Sequence, residues 1–547
     1  MTDPLSQEEF TSSLTRIVSH LQTRHSELSQ LSILSSPTTI SQSLSSLPTT
    51  LSSDGLGTSK TIQYLLSSLL PGILQAQNGP RYFGFVIGGV TPAAQLADIL
   101  AGSHDENVQV AGSEETISTA VEQRALEMIL DLVGIERSTF MGRTITTGAT
   151  GSNVLGLACA RDYLYAHSPH LPPNYSYAQD GPPSTPALPS PPIIILSLHP
   201  HFSIAKAASL VGIGSSSSII HQMPALPDDE LAFDLSALEA RLKAEKEVGR
   251  GVIVVYGVGE VNTGAFGSGL AQVADLCKQY AAWLHVDAAF GGFAGLMPQL
   301  AHYTKDMDKA DSLTLDGHKW LQVPYDCGLF YTRHVSFLTN IFQPPSASAP
   351  AYLAVNKSTL TGPTADEDES PFPEGTVRAQ DVTSPLYVGI ENSRRFRALP
   401  LIASLISLGK EGYREIITRN ILFARRIATL ISQSTEYELL NPTPPSSFPV
   451  SEGQQDKKKI EIPIIPSNIV LFRPTASSPF SPDDPTSSAR LVMAINRTGK
   501  MYVSGTRWRG LGAVRIAVSN WRTGVEGEGD WEIVRDVLEK IGKGEEV

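Results

Sequence analysis

The sequence lacks the features that mark membrane proteins and nucleic-acid-binding proteins. No apolar run approaches the length of a bilayer span, and residues 193–196 (IIIL) are only as long as a β-strand. Positive charge is not in excess, because 42 Lys and Arg residues stand against 55 Asp and Glu residues, which gives a formal net charge of −13. This balance argues against a nucleic-acid partner and against an anionic membrane surface.

Cysteine is also scarce. The three cysteines, Cys159, Cys277 and Cys327, are too few and too scattered for a disulfide framework or a zinc site. The first ten residues (MTDPLSQEEF) are acidic and lack the basic and then apolar pattern of a secretory signal. We therefore predict a cytoplasmic protein without a metal site.

The composition is that of an ordinary globular protein, with 41% hydrophobic and 18% charged residues. At 547 residues the chain exceeds the usual size of one hydrophobic core, so we expect two or more lobes. From about residue 90 to 335, helix-like runs alternate with strand-like runs, a pattern typical of an α/β layer with parallel strands. The candidate strands are residues 143–147, 193–198, 252–258, 283–287, 312–315 and 328–332.

Three domains are predicted along the chain. Residues 1–89 begin with leucines at helical spacing, residues 90–395 hold the α/β layer, and residues 396–547 have the pattern of a smaller C-terminal α+β domain. Residues 168–192 contain too many prolines for a core element and are predicted to form a surface insertion. Residues 343–380 combine Pro, Ser, Gly and acidic residues, which is typical of a mobile lid in an enzyme.

Residues 147–153 (TGATGSN) follow a short strand and open a helix. Small residues at this position let backbone N–H groups approach an anion such as a phosphate at the helix N-terminus, where the helix dipole favours negative charge. The hydroxyls of Thr150 and Ser152 add two further donors. The same residue types are also found in a capped turn that binds no ligand, and the string alone leaves both interpretations open.

Residues 285–289 (HVDAA) deliver Asp287 to the carboxyl end of an apolar strand, where ligands bind in open α/β sheets. A buried carboxylate is costly unless it is paired, and the N–H of a protonated heterocyclic ring is a suitable partner. Ala289 points to the same side and offers a methyl group on which a ring can rest. An aspartate that caps the next helix is the alternative.

Two further side chains follow strand ends. His201 comes just after an apolar strand, at the start of a helix, and can stack on a planar ligand. A histidine that merely lies in a surface loop is the alternative. Lys319, in residues 316–320 (DGHKW), has largely apolar neighbours, and desolvation makes its amine a nucleophile. A structural ion pair is the alternative for the lysine.

Together these residues satisfy the requirements of one cofactor, pyridoxal phosphate (PLP). The amine of Lys319 would hold PLP as a Schiff base, and Asp287 would keep the ring nitrogen protonated. The four pieces occur in a consistent order on successive strand ends. The sequence therefore predicts a PLP enzyme of amino-acid chemistry.

The same strings resemble those of the group II PLP-dependent amino-acid decarboxylases, which include aromatic-amino-acid, histidine and glutamate decarboxylases. The resemblance runs from about residue 78 to 410, continues weakly near 500–540, and is carried by PRYFGF, TGATGSN, HVDAAFGG and DGHKWLQVPYDCG. It implies the fold type I architecture of aspartate aminotransferase, with a central, mostly parallel sheet. It also implies a homodimer with active sites at the interface, in which residues 1–89 form a dimerisation arm.

The resemblance implies a role for each matching residue. The implied cofactor-binding residues are Lys319, Asp287, Ala289, His201, Ala149, Thr150, His318 and Asn262. Lys319, His201 and Tyr352 are the implied catalytic residues, with Tyr352 returning a proton to the substrate carbon. Two positions depart from many relatives: Gly151 stands where aromatic decarboxylases usually carry Glu, and Asp316–Gly317 replaces an Asn–Pro pair.

The substrate is predicted from one aromatic segment. Tyr82, Phe83 and Phe85 lie where relatives line the substrate pocket, although the same residues also suit a dimer interface. We predict decarboxylation of an aromatic L-amino acid, tryptophan or tyrosine, to the corresponding amine. An aldehyde synthase on the same scaffold, or a decarboxylase of a non-aromatic amino acid, is the alternative. A catalytically silent scaffold is a third interpretation, which the intact Lys319 and Asp287 argue against.

Overall fold

A computed structural model describes residues 7–108, 116–342, 384–442, 464–481 and 484–547 of the chain. The chain divides into two compact units. The central unit comprises Val90–Thr418 and Thr443–Ser467, and the terminal unit comprises Met1–Gly89, Arg419–Pro442 and Asn468–Val547. The three-domain division predicted from the sequence stays a prediction.

The strands are given with the numbering used below. They are β1 Gly142–Thr146, β2 Ile193–Ser197, β3 Ile220–Gln222, β4 Ala225–Leu226, β5 Asp229–Phe233, β6 Gly251–Gly257, β7 Trp283–Asp287, β8 Ser312–Asp316, β9 Gly328–Thr332, β10 Tyr437–Leu439, β11 Ile469–Pro474, β12 Ser504–Trp508 and β13 Leu511–Ala517.

The α-helices are numbered in the same way. They are α1 Gln7–Glu27, α2 Pro37–Ser45, α3 Gly57–Tyr64, α4 Pro92–His104, α5 Ser118–Val133, α6 Ala149–Ala166, α7 Tyr177–Asp180, α8 Phe202–Leu210, α9 Leu235–Glu247, α10 Leu270–Tyr280, α11 Val335–Phe342, α12 Ala398–Gln433, α13 Ser487–Arg497 and α14 Gly529–Lys543. Gly409 interrupts α12 with a left-handed φ of 59°.

The described residues of the central unit form a seven-stranded sheet in the order β1-β9-β8-β7-β6-β2-β3. All neighbouring pairs are parallel except those of β9, which runs antiparallel to both β1 and β8. Strands β2 and β8 are buried along their whole length, as expected of apolar strands in a sheet covered on both sides. The predicted α/β class with a mostly parallel sheet is confirmed.

The direction of the strands determines where a site can form. Because β1, β2, β6, β7 and β8 run the same way, their carboxyl ends lie at one edge of the sheet. That edge is the usual ligand-binding edge of an open α/β sheet. Asp287 and Asp316 are the last residues of β7 and β8, and Ala149 begins α6 shortly after β1.

The proline-rich residues 168–192 contribute to packing as well as to the surface. Leu171, Tyr175, Tyr177 and Leu188 pack against the core cluster that contains Ile195 and Trp283. The Tyr177 ring also stacks on the buried Tyr165, with ring centroids 5.4 Å apart. Residues 168–192 therefore pack against the core of the central unit through aromatic and leucine side chains. The short helix α7 is their one regular element.

The terminal unit contains an antiparallel sheet that, among the described residues, has four strands in the order β10-β11-β13-β12. The segment around Tyr82 also belongs to this unit, where Tyr82 forms a β-bridge with Tyr502. A buried ion pair between Arg81 and Asp530, 2.7 Å apart, fixes the same segment. Among the described residues, none of the helices has the length and apolar character that crossing a bilayer requires.

Candidate active site

In the turn between β1 and α6, the backbone lies very close to the neighbouring strand β9. Thr146 Oγ1 donates to the Gly148 carbonyl at 2.9 Å and lies 2.8 Å from Ser152 Oγ, which ties the strand end to the first helical turn. A Cβ atom at Gly328 would lie 2.3 Å from the carbonyl carbon of Gly148, so the neighbouring strand can come this near only with glycine. This turn leads into the N-terminus of α6, an 18-residue helix. The first backbone N–H groups of a helix have no partner within the helix and can bind an anion.

Asp287 is held by two donors at the end of β7. Its Oδ2 accepts from Asn153 Nδ2 at 2.9 Å, and its Oδ1 accepts from the Ala289 backbone N–H at 3.3 Å. Ala289 is buried, and its role beneath a cofactor ring stays a prediction. The carboxylate is thus oriented by α6 on one side and by its own loop on the other.

Lys319 follows β8 and lies beside a second carboxylate. Its Nζ is 3.7 Å from Asp316 Oδ2, and its side chain is one-fifth exposed. Asp316 is buried, its Oδ1 lies 2.9 Å from His318 Nδ1, and its Oδ2 accepts from the Ala149 backbone N–H at 3.4 Å. The His318 ring packs against Tyr325, with ring centroids 4.5 Å apart. Asp316 therefore connects the turn between β1 and α6 with the predicted cofactor lysine.

His201 is the N-cap residue of α8. Its Nδ1 accepts from the Ser203 backbone N–H at 3.3 Å and lies 2.8 Å from Ser203 Oγ. Burial lowers the pKa of His201 below its usual value; the Asp287 carboxylate opposes this shift and the Lys319 amine adds to it. A neutral imidazole is therefore favoured near neutral pH, in the electrostatic neighbourhood of both Asp287 and Lys319.

The other predicted residues have different surroundings. Asn262 lies in the loop after β6, where its amide donates to Glu260 Oε1 at 2.9 Å. Tyr352 and the whole predicted lid, residues 343–380, lie outside the described residues. The roles predicted for Asn262 and Tyr352 stay predictions.

The predicted substrate segment belongs to the terminal unit. Tyr82 is buried and stacks on Tyr502 with ring centroids 4.7 Å apart, and Phe83 is fully buried. Phe85 is 64% exposed and has a left-handed φ of 56°. Two of the three aromatic residues are thus core residues of their own unit, and the substrate role of all three stays a prediction.

Sequence reasoning missed the polar residues behind Asp287. Asn153, Ser203 and His285 are buried; Asn153 bonds the Asp287 carboxylate, and Ser203 and His285 each bond Asn153. Asn153 is the last residue of the TGATGSN motif, and His285 is the first residue of the HVDAA motif. Their pairing spans 132 residues, and nothing in a single sequence indicates a contact at that separation.

The chemistry of this donor set fits PLP. The helix N-terminus at Ala149 suits a phosphate, the Asp287 carboxylate suits a protonated ring nitrogen, and the Lys319 amine suits an aldehyde. Within the described ranges, no group of three or more His, Cys, Asp or Glu side chains is arranged to hold a metal ion.

Comparisons with known proteins also indicate a PLP-dependent enzyme. Residues 42–367 match the family model of the pyridoxal-dependent decarboxylase conserved domain. The chain is 30% identical to an aromatic-L-amino-acid decarboxylase of Bacillus atrophaeus over 252 residues, which is 46% of this chain and 46% of that enzyme. It is 24% identical to tryptophan decarboxylase 1 of Oryza sativa subsp. japonica over 478 residues, which is 84% of this chain and 80% of that enzyme.

A solved structure extends the comparison to the fold. The crystal structure of Oryza sativa TDC with PLP and tryptamine matches with a TM-score of 0.74 at 20% identity, covering 99% of this chain and 100% of that chain. At this identity the likeness establishes the fold. The aligned part of the chain spans less than half of the Bacillus enzyme but most of the rice enzyme.

Proposed function

The chain belongs to the pyridoxal-dependent decarboxylase family, and from this premise we propose that it converts an aromatic L-amino acid, tryptophan or tyrosine, to the corresponding amine and CO2. One observation carries the proposal. The amine of Lys319, the carboxylate of Asp287 and the neutral imidazole of His201 are grouped at the ligand-binding edge of one sheet, next to a helix N-terminus that suits a phosphate.

The bound cofactor supplies an electron sink for the electron pair that remains when the carboxyl group leaves as CO2. Lys319 would hold the cofactor through its side-chain amine. Asp287 would accept the ring N–H and keep the ring nitrogen protonated, and its negative charge would strengthen that hydrogen bond. Ala289 would support one face of the ring, and His201 would cover the other.

The remaining cofactor contacts in the proposal anchor the phosphate. Ala149 and Thr150 donate backbone N–H groups at the start of α6, with His318 close by. We assign Asn262 a contact with the cofactor from the loop after β6. Tyr352 donates a proton to the substrate carbon after CO2 has left, and the lid excludes water while it does so.

The aromatic preference is supported by the relatives and by the chemistry of one segment. The relatives named above are an aromatic-L-amino-acid decarboxylase and a tryptophan decarboxylase. We assign Tyr82, Phe83 and Phe85 to the substrate from the family resemblance, and among the three only Phe85 is exposed, at 64%. An acidic substrate would require a basic side chain for its second carboxylate, and none of the three residues that we assign to the substrate is basic.

We further propose a homodimer, active in the cytoplasm. Helix α1 carries a row of exposed apolar residues at helical spacing, with Phe10 59%, Leu14 46% and Val18 43% exposed. Such a row on one helix face is typical of a surface that another chain covers. A second copy of this chain is the partner that fits the dimerisation arm implied by the family resemblance.

The test is a screen of the common L-amino acids for CO2 release by the purified, PLP-loaded protein, with identification of the product. We expect tryptophan or tyrosine to be the best substrate and the amine to be the product. Lys319→Ala is the matched control and should abolish turnover. Release of CO2 from aspartate or glutamate alone would overturn the aromatic assignment, and no turnover of any amino acid would overturn the enzymatic one.

Product analysis also separates the decarboxylase from an aldehyde synthase, which consumes O2 and water and yields an aldehyde, CO2, ammonia and hydrogen peroxide. Because Tyr352 is the proposed proton donor, Tyr352→Phe should lose about 100-fold in amine formation while retaining the cofactor. Stoichiometric peroxide without amine from the unmodified protein would favour the synthase.

A further inference from the structure

A continuous set of buried hydrogen bonds lies behind Asp287. Its members are each at most 1% exposed and are Asn153, Ser203, Trp283, His285 and Ser312. They come from the helices α6 and α8 and the strands β7 and β8. We call this set the Asn153 network.

The charge of Asp287 determines the orientation of the Asn153 amide. A carboxylate only accepts hydrogen bonds, so the atom 2.9 Å from Asp287 Oδ2 must be the Nδ2 of Asn153. The second hydrogen of the same NH2 group points to Ser203 Oγ at 3.0 Å. The opposite amide orientation would set two oxygens against each other at Asp287.

One branch of the network then determines the tautomer of His285. Asn153 Oδ1 only accepts, so His285 Nε2, 3.0 Å away, carries the proton. Burial lowers the pKa of His285 to about 4, which leaves the ring neutral and Nδ1 an acceptor. Ser312 Oγ lies 2.8 Å from that Nδ1 and itself accepts from Trp283 Nε1 at 2.9 Å. Every donor in this branch has an acceptor.

The other branch determines the tautomer of His201. Because Ser203 Oγ accepts from Asn153, its own hydrogen is free to point to His201 Nδ1 at 2.8 Å. The Ser203 backbone N–H donates to the same Nδ1 at 3.3 Å. Two donors on Nδ1 leave Nε2 as the protonated nitrogen of the neutral His201 ring.

We propose that Asn153 is a positioning residue that couples the two cofactor-facing groups, holding the Asp287 carboxylate in its orientation and, through Ser203, fixing His201 as the Nε2-protonated tautomer. The proposal rests on the cofactor site proposed above. It adds that the carboxylate proposed to pair with the ring nitrogen and the imidazole proposed to cover the ring are held by one amide. The hydrogen bond from His285 Nε2 to Asn153 Oδ1 holds the Asn153 amide in this orientation.

The local sequence of α6 fits this role. Asn153 and Gly156 are three residues apart and therefore lie on the same helix face. A Cβ atom at Gly156 would lie 2.5 Å from Cε1 of His285, so the imidazole rests directly on the helix backbone there. Helix and strand thus meet at the one place where the amide and the imidazole can pair.

The first experiment needs no cofactor. In the full-length protein, selectively labelled with 15N-histidine, the ring-nitrogen signals of His201 and His285 are assigned by loss in single variants. We expect both rings to be neutral and protonated at Nε2. In Ser203→Ala the His201 Nδ1 signal should shift, because the hydroxyl donor is lost and only the backbone N–H at residue 203 remains, while the His285 signals stay unchanged. A charged or Nδ1-protonated His285, or no response of His201, overturns the proposal.

The second experiment measures the Kd of PLP and the absorption spectrum of the bound cofactor. Asn153→Ala should raise the Kd about 10- to 100-fold, because a hydrogen bond to a charged group is lost. His285→Gln keeps a nitrogen at the same number of bonds from Cβ as Nε2 and should stay within about threefold of the unmodified protein. His285→Phe keeps a ring but removes that nitrogen and should raise the Kd about tenfold.

Asn420→Ala is the matched control for a purely structural effect. Asn420 is also fully buried and donates to the Asn520 carbonyl at 2.9 Å, within the terminal unit. Its loss should lower the unfolding midpoint without changing the Kd or the spectrum. If Asn153→Ala behaves in the same way as Asn420→Ala, the network only stabilises the fold and the proposal is wrong. Should Asn153→Ala not fold, the His285→Gln and His285→Phe pair decides the matter.

The two proposals can fail separately. Failure of the unmodified protein to bind PLP would refute the proposed function, while the histidine signals measured without cofactor would still test the network. Normal PLP binding by the unmodified protein, together with an unchanged Kd and spectrum in both Asn153→Ala and His285→Phe, would refute the network alone.

Discussion

Among the residues that the structure describes, Asp316 is the acidic residue that pairs with the predicted cofactor lysine. It is buried, lies 3.7 Å from Lys319 Nζ and 2.9 Å from His318 Nδ1, and accepts from the Ala149 backbone N–H. From the sequence it stood out only as a departure from the Asn–Pro pair of many relatives. In the structure it is a candidate counter-ion for the lysine amine whenever that amine is free of the cofactor.

Replacing Asp316 with Asn tests this role with little change in shape. Asparagine keeps an acceptor for the Ala149 N–H but cannot balance a charged amine. We expect kcat to fall about 100-fold with the cofactor still bound, because proton transfer at Lys319 loses its charged neighbour. Steady-state kinetics and the absorbance of bound PLP check both parts. An unchanged kcat would show that Asp316 only shapes the turn.

At the scale of residues, the sequence motifs indicated a functional residue wherever a charged side chain stands at the end of an apolar core strand. Lys319 and Asp287 are such residues, because a lysine and an aspartate beside a core strand need a reason to be there. Asn153 and His285 were not predicted, since an asparagine in a first helical turn and a histidine in a strand are ordinary until their contact is seen. The family match confirms the resemblance that the strings indicated.

At the scale of elements, the parallel strands were predictable because each is a short apolar run bounded by turn residues. The observed bounds of β7 and β9 equal the predicted ones, and those of β1 and β6 differ by one residue at each end. The short edge strand β3 was missed, because three residues carry no periodic signal. The aromatic anchors of residues 168–192 were missed because proline content dominated that stretch.

The contact between α6 and β7 provides an element-scale prediction. Alanine at Gly156 places a methyl group 2.5 Å from the His285 ring, so the helix or the imidazole must move. We expect Gly156→Ala to lower the free energy of unfolding by about 1–3 kcal/mol, as overpacking does. It should also weaken PLP binding if His285 anchors Asn153.

Gly102→Ala is the matched control for that substitution. Gly102 lies in α4, and a Cβ there would meet nothing nearer than Arg395, at 4.0 Å. This change should leave PLP binding alone and raise the free energy of unfolding by about 0.4–1 kcal/mol, because alanine restricts the unfolded chain. Urea denaturation measures both variants. Equal effects of the two substitutions would contradict the close packing at His285.

At the scale of the whole molecule, the buried neutral histidine makes stability depend on pH. Burial lowers the pKa of His285 from 6.5 to about 4, against an opposing effect of Asp287. Between these two values the unfolded chain binds a proton that the folded protein does not. The contribution of His285 to stability is therefore complete above about pH 6.5 and is lost as the pH falls toward about 4, with a slope of about 1.4 kcal/mol per pH unit.

Comparing the unmodified protein with His285→Gln isolates this contribution, because the carboxylates and other histidines are common to both. Urea unfolding of full-length protein at several pH values between about 7 and 5 should show the stability advantage of histidine over glutamine shrinking by about 2 kcal/mol. Glutamine cannot be protonated in this range, so its curve lacks that slope. If the two curves stay parallel, His285 takes up a proton as readily in the folded protein as in the unfolded chain. The conclusion that burial keeps this ring neutral below pH 6.5 would then be wrong.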